Sequence, residues 1–200
     1  MDHLRLRPYG PGAVLAEVAD SEAARSLAVY ARAARVRADE VVPGARTVLF
    51  DGVPDPDGLA VLLADWTPEA TTEPGPLVEL PVQYDGADLD DVASRWGTDV
   101  DGVVARHTST EFVSSFCGFA PGFAYLTGLP QEYAVPRLPS PRSRVPAGSV
   151  GLADAWCGVY PSASPGGWRL LGHTEVALWD PERSDPALLA PGTRVRFVPA

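Results

Sequence analysis

The chain contains no lysine, and all sixteen of its basic residues are arginine. Three kinds of chemistry depend on a lysine side chain: phosphate binding by a P-loop, Schiff-base formation and biotin attachment. None of them is available within this sequence. If the protein takes part in ATP, pyridoxal or biotin chemistry, another chain must supply the lysine.

Cysteine and histidine are also scarce. The two cysteines, Cys117 and Cys157, form no CxxC pair, and the three histidines, His3, His107 and His173, lack the spacing of metal ligands. We therefore predict no metal site and two reduced thiols, as is usual in the cytoplasm.

Long apolar runs and basic clusters are missing as well. No window approaches the roughly 18 apolar residues of a membrane span, and the first ten residues lack the apolar core of a secretory signal. The net charge of −10 disfavours binding to nucleic acids and to anionic membranes, because both are negatively charged. We expect a cytoplasmic protein that binds neither.

The pattern of residues 1–70 is that of a small α/β domain. The order of its predicted strands and helices suggests a ferredoxin-like or related sandwich. The elements are a strand over 13–18, an amphipathic helix over 21–37, a buried strand over 47–50 and a helical stripe of Leu59, Leu62, Leu63 and Trp66.

A proline-rich stretch near 68–77 is the predicted domain boundary, and a second domain follows over 78–200. It begins with a strand over 78–84 and two helices, for which Asp88 and Thr98 are the predicted N-caps. Short β-rich runs between glycine and proline turns then predict a closed barrel or a sandwich. These runs are 112–117, 150–153, 156–160, 168–171, 176–179 and 194–198.

Glycine and proline are dense within the apolar sequence from Phe116 to Gly172, which predicts a shaped surface of tight turns. Three motifs in this stretch, PGFAYLTGLP, PRLPSPRSRVPAGSVG and YPSASPGGW, resemble the B subunit of 5-oxoprolinase. The family is also called allophanate hydrolase subunit 1 or Kip-type sporulation-kinase inhibitor. The resemblance implies an α+β chain, with a small N-terminal α/β domain followed by a cyclophilin-like β-barrel.

The resemblance also implies a function. The family works beside a C subunit, which is similar to allophanate hydrolase subunit 2. Together with an A subunit, the two hydrolyse 5-oxoproline to glutamate at the expense of ATP. ATP is then a cofactor of the assembled complex, and this chain alone binds none. Two alternatives stay open: a binding protein that inhibits a histidine kinase, and the carboxyltransferase or allophanate-hydrolase-type subunit of a biotin-dependent enzyme.

Three residues are candidates for catalysis. His107 ends a predicted helix, where it would act as an acid or base near the loops or interact with the helix C-terminus. Arg137 and Arg142 match the family motif and lie on a proline-stiffened loop. They would bind a carboxylate or phosphoryl group, or pair with acidic residues of this chain or of a partner.

Glycine-rich turns and aromatic residues are candidates for contacts with the substrate or a partner. The turns offer backbone N–H groups and hydroxyls that would cradle an oxyanion, although such turns are equally expected between barrel strands. The aromatic residues would form a wall or a contact between subunits. The candidates are Pro121, Gly122, Phe123, Tyr125, Ser149, Tyr160, Ser164, Gly166, Gly167 and Trp168.

At two places near the expected site, three residues depart from the family pattern. Trp156 and Cys157 stand where the family usually has Gln-Thr, and His173 stands where it has arginine. The glutamine and the arginine are polar groups of the expected site, so the sequence leaves open whether these departures alter the substrate.

Overall fold

A computed structural model of the chain describes residues 4–68 and 75–200. Two compact units are present, Met1–Pro74 and Gly75–Ala200. The proline-rich boundary that the sequence predicts near 68–77 lies mostly outside the described residues.

The first unit is an antiparallel sheet with two helices, and the strand order is β1-β2-β4-β3. Apolar residues of both helices and of the two central strands form one core. The elements are β1 (Arg5–Pro8), β2 (Val14–Glu17), α1 (Ser21–Ala33), β3 (Glu40–Pro43), β4 (Thr47–Asp51) and α2 (Pro56–Leu63).

Helix α1 begins where the carboxylate of Asp20 accepts a hydrogen bond from the N–H of Ala23, at 2.9 Å. It ends at Ala33, earlier than predicted, and Arg35 beyond it adopts a left-handed backbone conformation with φ 53°. Trp66 is buried as its spacing predicts, but it lies beyond the end of α2.

The ferredoxin-like arrangement of this unit is not confirmed. Strand β1 comes before the strand–helix–strand–strand–helix order and supplies one edge of the sheet. The alternation of Leu4 and Leu6 with Arg5 and Arg7 is short, and the strand itself, RLRP, ends in proline and exposes three of its four residues. Within the described residues of the unit, no strand follows α2.

The second unit contains a seven-stranded sheet of order β12-β9-β10-β7-β6-β13-β5, while β8 and β11 form a separate antiparallel pair. The elements are β5 (Leu77–Val82), α3 (Leu89–Trp96), α4 (Val100–Ser109), β6 (Phe112–Cys117), β7 (Ala124–Thr127), a 3-10 turn (Gln131–Tyr133), β8 (Arg142–Val145), β9 (Ser149–Ala153), β10 (Trp156–Val159), β11 (Ser164–Gly166), β12 (Arg169–His173) and β13 (Arg194–Pro199).

The two edges of this sheet meet. Gln83, just beyond β5, and His173 in β12 exchange two backbone hydrogen bonds of 2.9 Å. Gly172 permits the contact, because any side chain there would overlap the carbonyl oxygen of Gln83. The sheet is therefore nearly closed, which is consistent with the predicted cyclophilin-like barrel.

Two local predictions for this unit are wrong. Helix α4 is capped by Asp99, whose carboxylate accepts from the N–H of Gly102 at 2.9 Å, and not by Thr98. The run 176–179 forms no strand; Trp179 makes only an isolated bridge to Ala187. Strands β7, β8 and β11 were not predicted, since their glycine- and proline-rich surroundings resemble loops.

Strands β9 and β10 have one face inside the barrel and one outside. Val150, Leu152, Cys157 and Val159 belong to the barrel core. Alternate residues point the other way. On that outer face a second apolar cluster forms, with Phe123, Tyr160 and Trp168 as its largest members. This outer cluster positions the candidate site.

Candidate functional site

A cavity of about 260 Å³ opens on the outer face of the barrel. We call it the aromatic pocket, because five aromatic side chains contribute to its walls. These are Phe119, Phe123, Tyr125, Tyr160 and Trp168, and the remaining lining residues are Arg137, Leu138, Pro141, Pro165, Gly166 and Gly167.

The floor of the aromatic pocket rests on two glycines of the sheet. Gly151 and Gly158 are paired across β9 and β10. A Cβ atom at Gly158 would lie only 3.0 Å from the rings of Phe123 and Trp168, so glycine lets both rings lie against the strands. Phe123 packs edge-on against Trp168 and against Tyr160, with ring centroids 5.4 and 5.5 Å apart.

Phe119 lies at the mouth of the aromatic pocket. Its side chain is 61% exposed, and its ring lies edge-on to Phe123 at 5.3 Å. Its backbone is left-handed, with φ 69°, which costs a residue other than glycine on the order of 1 kcal/mol or more. A tight turn centred on Phe119 holds this conformation, because the N–H of Ala120 donates to the carbonyl of Gly118 at 2.8 Å.

Among the residues that the structure describes, Arg137 is the only charged side chain that lines the aromatic pocket. Across residues 4–68 and 75–200, no hydrogen bond or ion pair involves its guanidinium. The backbone beside it is fixed, since the N–H of Leu138 donates to the carbonyl of Gly167 at 2.8 Å. The pocket therefore presents a positive charge to a ligand.

Tyr160 supplies a phenol to the same pocket. Burial raises its pKa, while a backbone hydrogen bond from Trp168 and the positive charges of Arg137 and Arg142 act in the opposite direction. The phenol therefore stays protonated at neutral pH and is able to donate a hydrogen bond.

Arg142 does not line the aromatic pocket, although the sequence pairs it with Arg137. Its Nη2 donates to Oδ1 of Asp88 at 2.8 Å, and Nη1 lies 3.4 Å from the carbonyl oxygen of Trp168. Asp88 is buried and accepts a second hydrogen bond, from the N–H of Leu170 at 2.7 Å. Asp88 thus lies at the N-cap position of α3, but its side chain binds the backbone of β12. Arg142 in turn positions the segment that carries Trp168.

His107 lies in the barrel core, fully buried, and does not line the pocket. Its Nδ1 is 2.7 Å from the hydroxyl of Tyr84, and its Nε2 is 3.4 Å from Sγ of Cys157. Burial lowers the pKa of His107 to about 3 and raises that of Cys157. A neutral, enclosed imidazole of this kind has a structural role, and its position does not suit an acid or base acting on a substrate.

The structure brings together seven of the predicted site residues and separates the others. Pro121 and Gly122 lie in the turn that precedes Phe123, and Ser149 is buried in β9. Ser164 in β11 has a buried hydroxyl without a hydrogen-bond partner in the described part of the chain. The seven that line the aromatic pocket are Phe123, Tyr125, Arg137, Tyr160, Gly166, Gly167 and Trp168.

Sequence reasoning did not select Leu138 or Pro141 as site residues. Both lie within the proline-rich motifs that carry the family resemblance, so the motif itself was the available signal. The sequence does predict that Phe119 forms a wall or a subunit contact together with Phe123 and Tyr125. The turn at Ala120 brings Phe119 to the pocket. No sequence pattern marks the left-handed conformation of Phe119.

The two departures from the family pattern also lie outside the pocket lining. Trp156 packs against Tyr125, with ring centroids 5.9 Å apart, and so supports a pocket wall from behind. His173 lies at the barrel closure, where its Nδ1 is 2.9 Å from Oδ1 of Asp85.

Groups of side chains that would hold a metal ion are absent from the described residues. Among the helices described here, none is long and apolar enough to cross a membrane.

The sequence matches a family model over residues 4–189, that of the carboxyltransferase domain, subdomains C and D. It is 44% identical to the 5-oxoprolinase B subunit of Escherichia coli O157:H7, over 80% of this chain and 77% of that protein. The chain belongs to the 5-oxoprolinase B-subunit family. The B subunit of Bacillus subtilis 5-oxoprolinase is 46% identical over 61% of this chain, a region that spans about half of its own length, 52%.

Solved structures share the fold of this chain. The crystal structure of TTHA0988 matches 99% of this chain with a TM-score of 0.77 and 36% identity, and the chain covers 40% of that protein. Kluyveromyces lactis urea carboxylase matches 98% of the chain with a TM-score of 0.73, and the match covers 22% of the enzyme. At 20% identity, the urea carboxylase shows a shared fold alone.

Proposed function

We propose that this chain is the B subunit of an ATP-dependent 5-oxoprolinase, which converts 5-oxoproline to glutamate together with the A and C subunits. The observation that carries the proposal is the aromatic pocket. The motifs that resemble the family build most of its walls. The chain as aligned is 43–46% identical to proteins named as 5-oxoprolinase B subunits. The aromatic pocket is then this chain's part of a shared active site.

The chain alone is expected to be inactive. It has no lysine for phosphate binding, and its most enclosed polar cluster, Tyr84, His107 and Cys157, is remote from solvent. The nucleotide site therefore belongs to another subunit. Both cysteines are free thiols, as expected of a complex that works in the reducing cytoplasm.

Phe119 and Trp179 indicate where the C subunit would bind. Both are exposed aromatic side chains, at 61% and 42%, and Gly122 between them packs against Trp179. Exposed aromatic side chains of this kind are enriched at protein interfaces. Phe123 itself is buried against the barrel, so the exposed rings beside it would contact the C subunit.

The test is the substrate dependence of the assembled complex of this chain with the A and C subunits. ATP hydrolysis should require 5-oxoproline, with one glutamate formed for each ADP. ATP hydrolysis without glutamate formation would contradict the proposal.

A carboxyltransferase is the second candidate, because the matching family model describes a carboxyltransferase domain. In that case the chain and the C subunit would consume carboxybiotin on a carrier protein and would leave 5-oxoproline unchanged. Measuring both reactions with one preparation separates the two functions. Inhibition of a histidine kinase stays a prediction from the sequence.

A further inference from the structure

We propose that Arg137 binds the carboxylate of a small cyclic acid in the aromatic pocket, and that this chain binds that acid without the other subunits. The identity of the acid, 5-oxoproline, rests on the proposed function. The binding mode rests on the size, walls and charge of the aromatic pocket.

The size and walls of the aromatic pocket suit a small ring. Its volume of about 260 Å³ is below the roughly 300–1,000 Å³ of pockets that enclose drug-sized ligands. Phe123, Tyr160 and Trp168 are each no more than 3% exposed, so the floor is rigid and apolar. A five-membered ring would pack over this floor, beside the exposed ring of Phe119.

The charge of the aromatic pocket selects an anion. Aromatic walls alone would also suit a cation, through its attraction to the ring faces. Arg137 would repel a cation, and no acidic residue of the described chain lines the pocket. In a chain with 26 acidic residues, Arg137 has no ion-pair partner within the described ranges. Its planar guanidinium is matched to a carboxylate, which it binds through two parallel hydrogen bonds.

The loop that carries Arg137 is fixed on both sides. Nε of Arg169 donates to the carbonyl of Pro136 at 2.9 Å, and the N–H of Leu138 donates to the carbonyl of Gly167 at 2.8 Å. Only the Arg137 side chain has to become ordered on binding, so little conformational entropy is lost.

Tyr160 adds a neutral donor close to the same charge. Its phenol accepts a backbone hydrogen bond from Trp168 and interacts electrostatically with Arg137. Its proton is then available to the ligand, either at the carboxylate or at the carbonyl of a lactam ring.

The experiment is calorimetric titration of the isolated full chain with 5-oxoproline and with 2-pyrrolidinone, which has the same ring without the carboxylate. The wild type should bind 5-oxoproline and should bind 2-pyrrolidinone at least about tenfold more weakly. Arg137→Gln should weaken 5-oxoproline binding by about 10- to 100-fold, as expected for hydrogen bonds between charged groups. Arg144→Gln is the matched control, because Arg144 lies in β8, which follows that loop, and outside the pocket lining.

Equal binding of the two ligands, equal affinity of wild type and Arg137→Gln, or no binding by the folded wild type would each overturn the inference. Circular dichroism of each variant establishes that it is folded. A different result would refute the proposed function alone: the assembled complex forms no glutamate, while the chain still binds the acid through Arg137. Conversely, an active complex together with no binding by the isolated chain would refute the inference and leave the proposed function standing.

Discussion

His107 shows how one buried residue couples this fold to pH. Its folded pKa of about 3 lies below the ordinary value near 6.5, because the enclosed imidazole resists protonation. Between these values the unfolded chain binds a proton that the folded chain does not. The contribution of His107 to the free energy of unfolding is therefore fully present above pH 6.5. It falls as the pH drops toward 3, by up to about 1.4 kcal/mol per pH unit.

A prediction follows for His107→Gln, which removes the titrating group. Its free energy of unfolding at pH 7 should fall, but its decline between pH 6.5 and 4.5 should be shallower than that of the wild type. Tyr84→Phe is the control, since it removes the hydrogen bond to Nδ1 and leaves His107 buried. Urea unfolding at several pH values measures the slopes, and identical slopes for wild type and His107→Gln would disprove the coupling.

Arg142 is predicted to stabilise the fold and to affect the substrate only by positioning the segment that carries Trp168. Arg142→Ala leaves the carboxylate of buried Asp88 without its ionic partner. The free energy of unfolding should fall by up to about 3 kcal/mol, which is the lower end of the range for breaking a buried ion pair. The lower end applies because 28% of the Arg142 side chain is exposed. Arg144→Ala, without a partner in the described chain, should change stability by less than about 0.5 kcal/mol. Chemical denaturation of both variants tests this, and equal losses would argue against the pair.

At the scale of strands and turns, Gly166 controls the shape of the aromatic pocket. A side chain at Gly166 would overlap the hydroxyl of Tyr160, whereas one at Gly167 would lie 3.7 Å from Pro141, an ordinary contact. Gly166→Ala should therefore displace Tyr160 and lower kcat/KM of the assembled complex about tenfold or more, while Gly167→Ala changes it little. Both variants should keep the circular dichroism of the wild type. A larger loss for Gly167→Ala would place the active region elsewhere.

The elements also show which parts of the fold the sequence predicts. Periodicity located α1, α3, β6 and β13, because each buries one regular face. It did not locate β1 or the β8–β11 pair, whose residues are mostly exposed or rich in proline and glycine. These strands are fixed by pairing with distant segments, which no local pattern records.

For the site, the sequence indicated which residues were candidates, but it did not indicate which residues they would contact. The motifs identified Arg137, Tyr160 and Trp168, which line the aromatic pocket. The same reasoning grouped Arg142 and His107 with them. Asp88, which pairs with Arg142, lies 54 residues away, and Cys157 lies 50 residues from His107. Contacts over such separations depend on the barrel closure and the strand order.

At the scale of the whole molecule, the central claim is that this chain completes the active site of a 5-oxoprolinase. The most direct measurement is glutamate formation from 5-oxoproline and ATP by the A and C subunits, with this chain first withheld and then added in equimolar amount. The account predicts no turnover without the chain, full turnover with the wild type and reduced turnover with Gly166→Ala. Equal glutamate formation with and without the chain would contradict it.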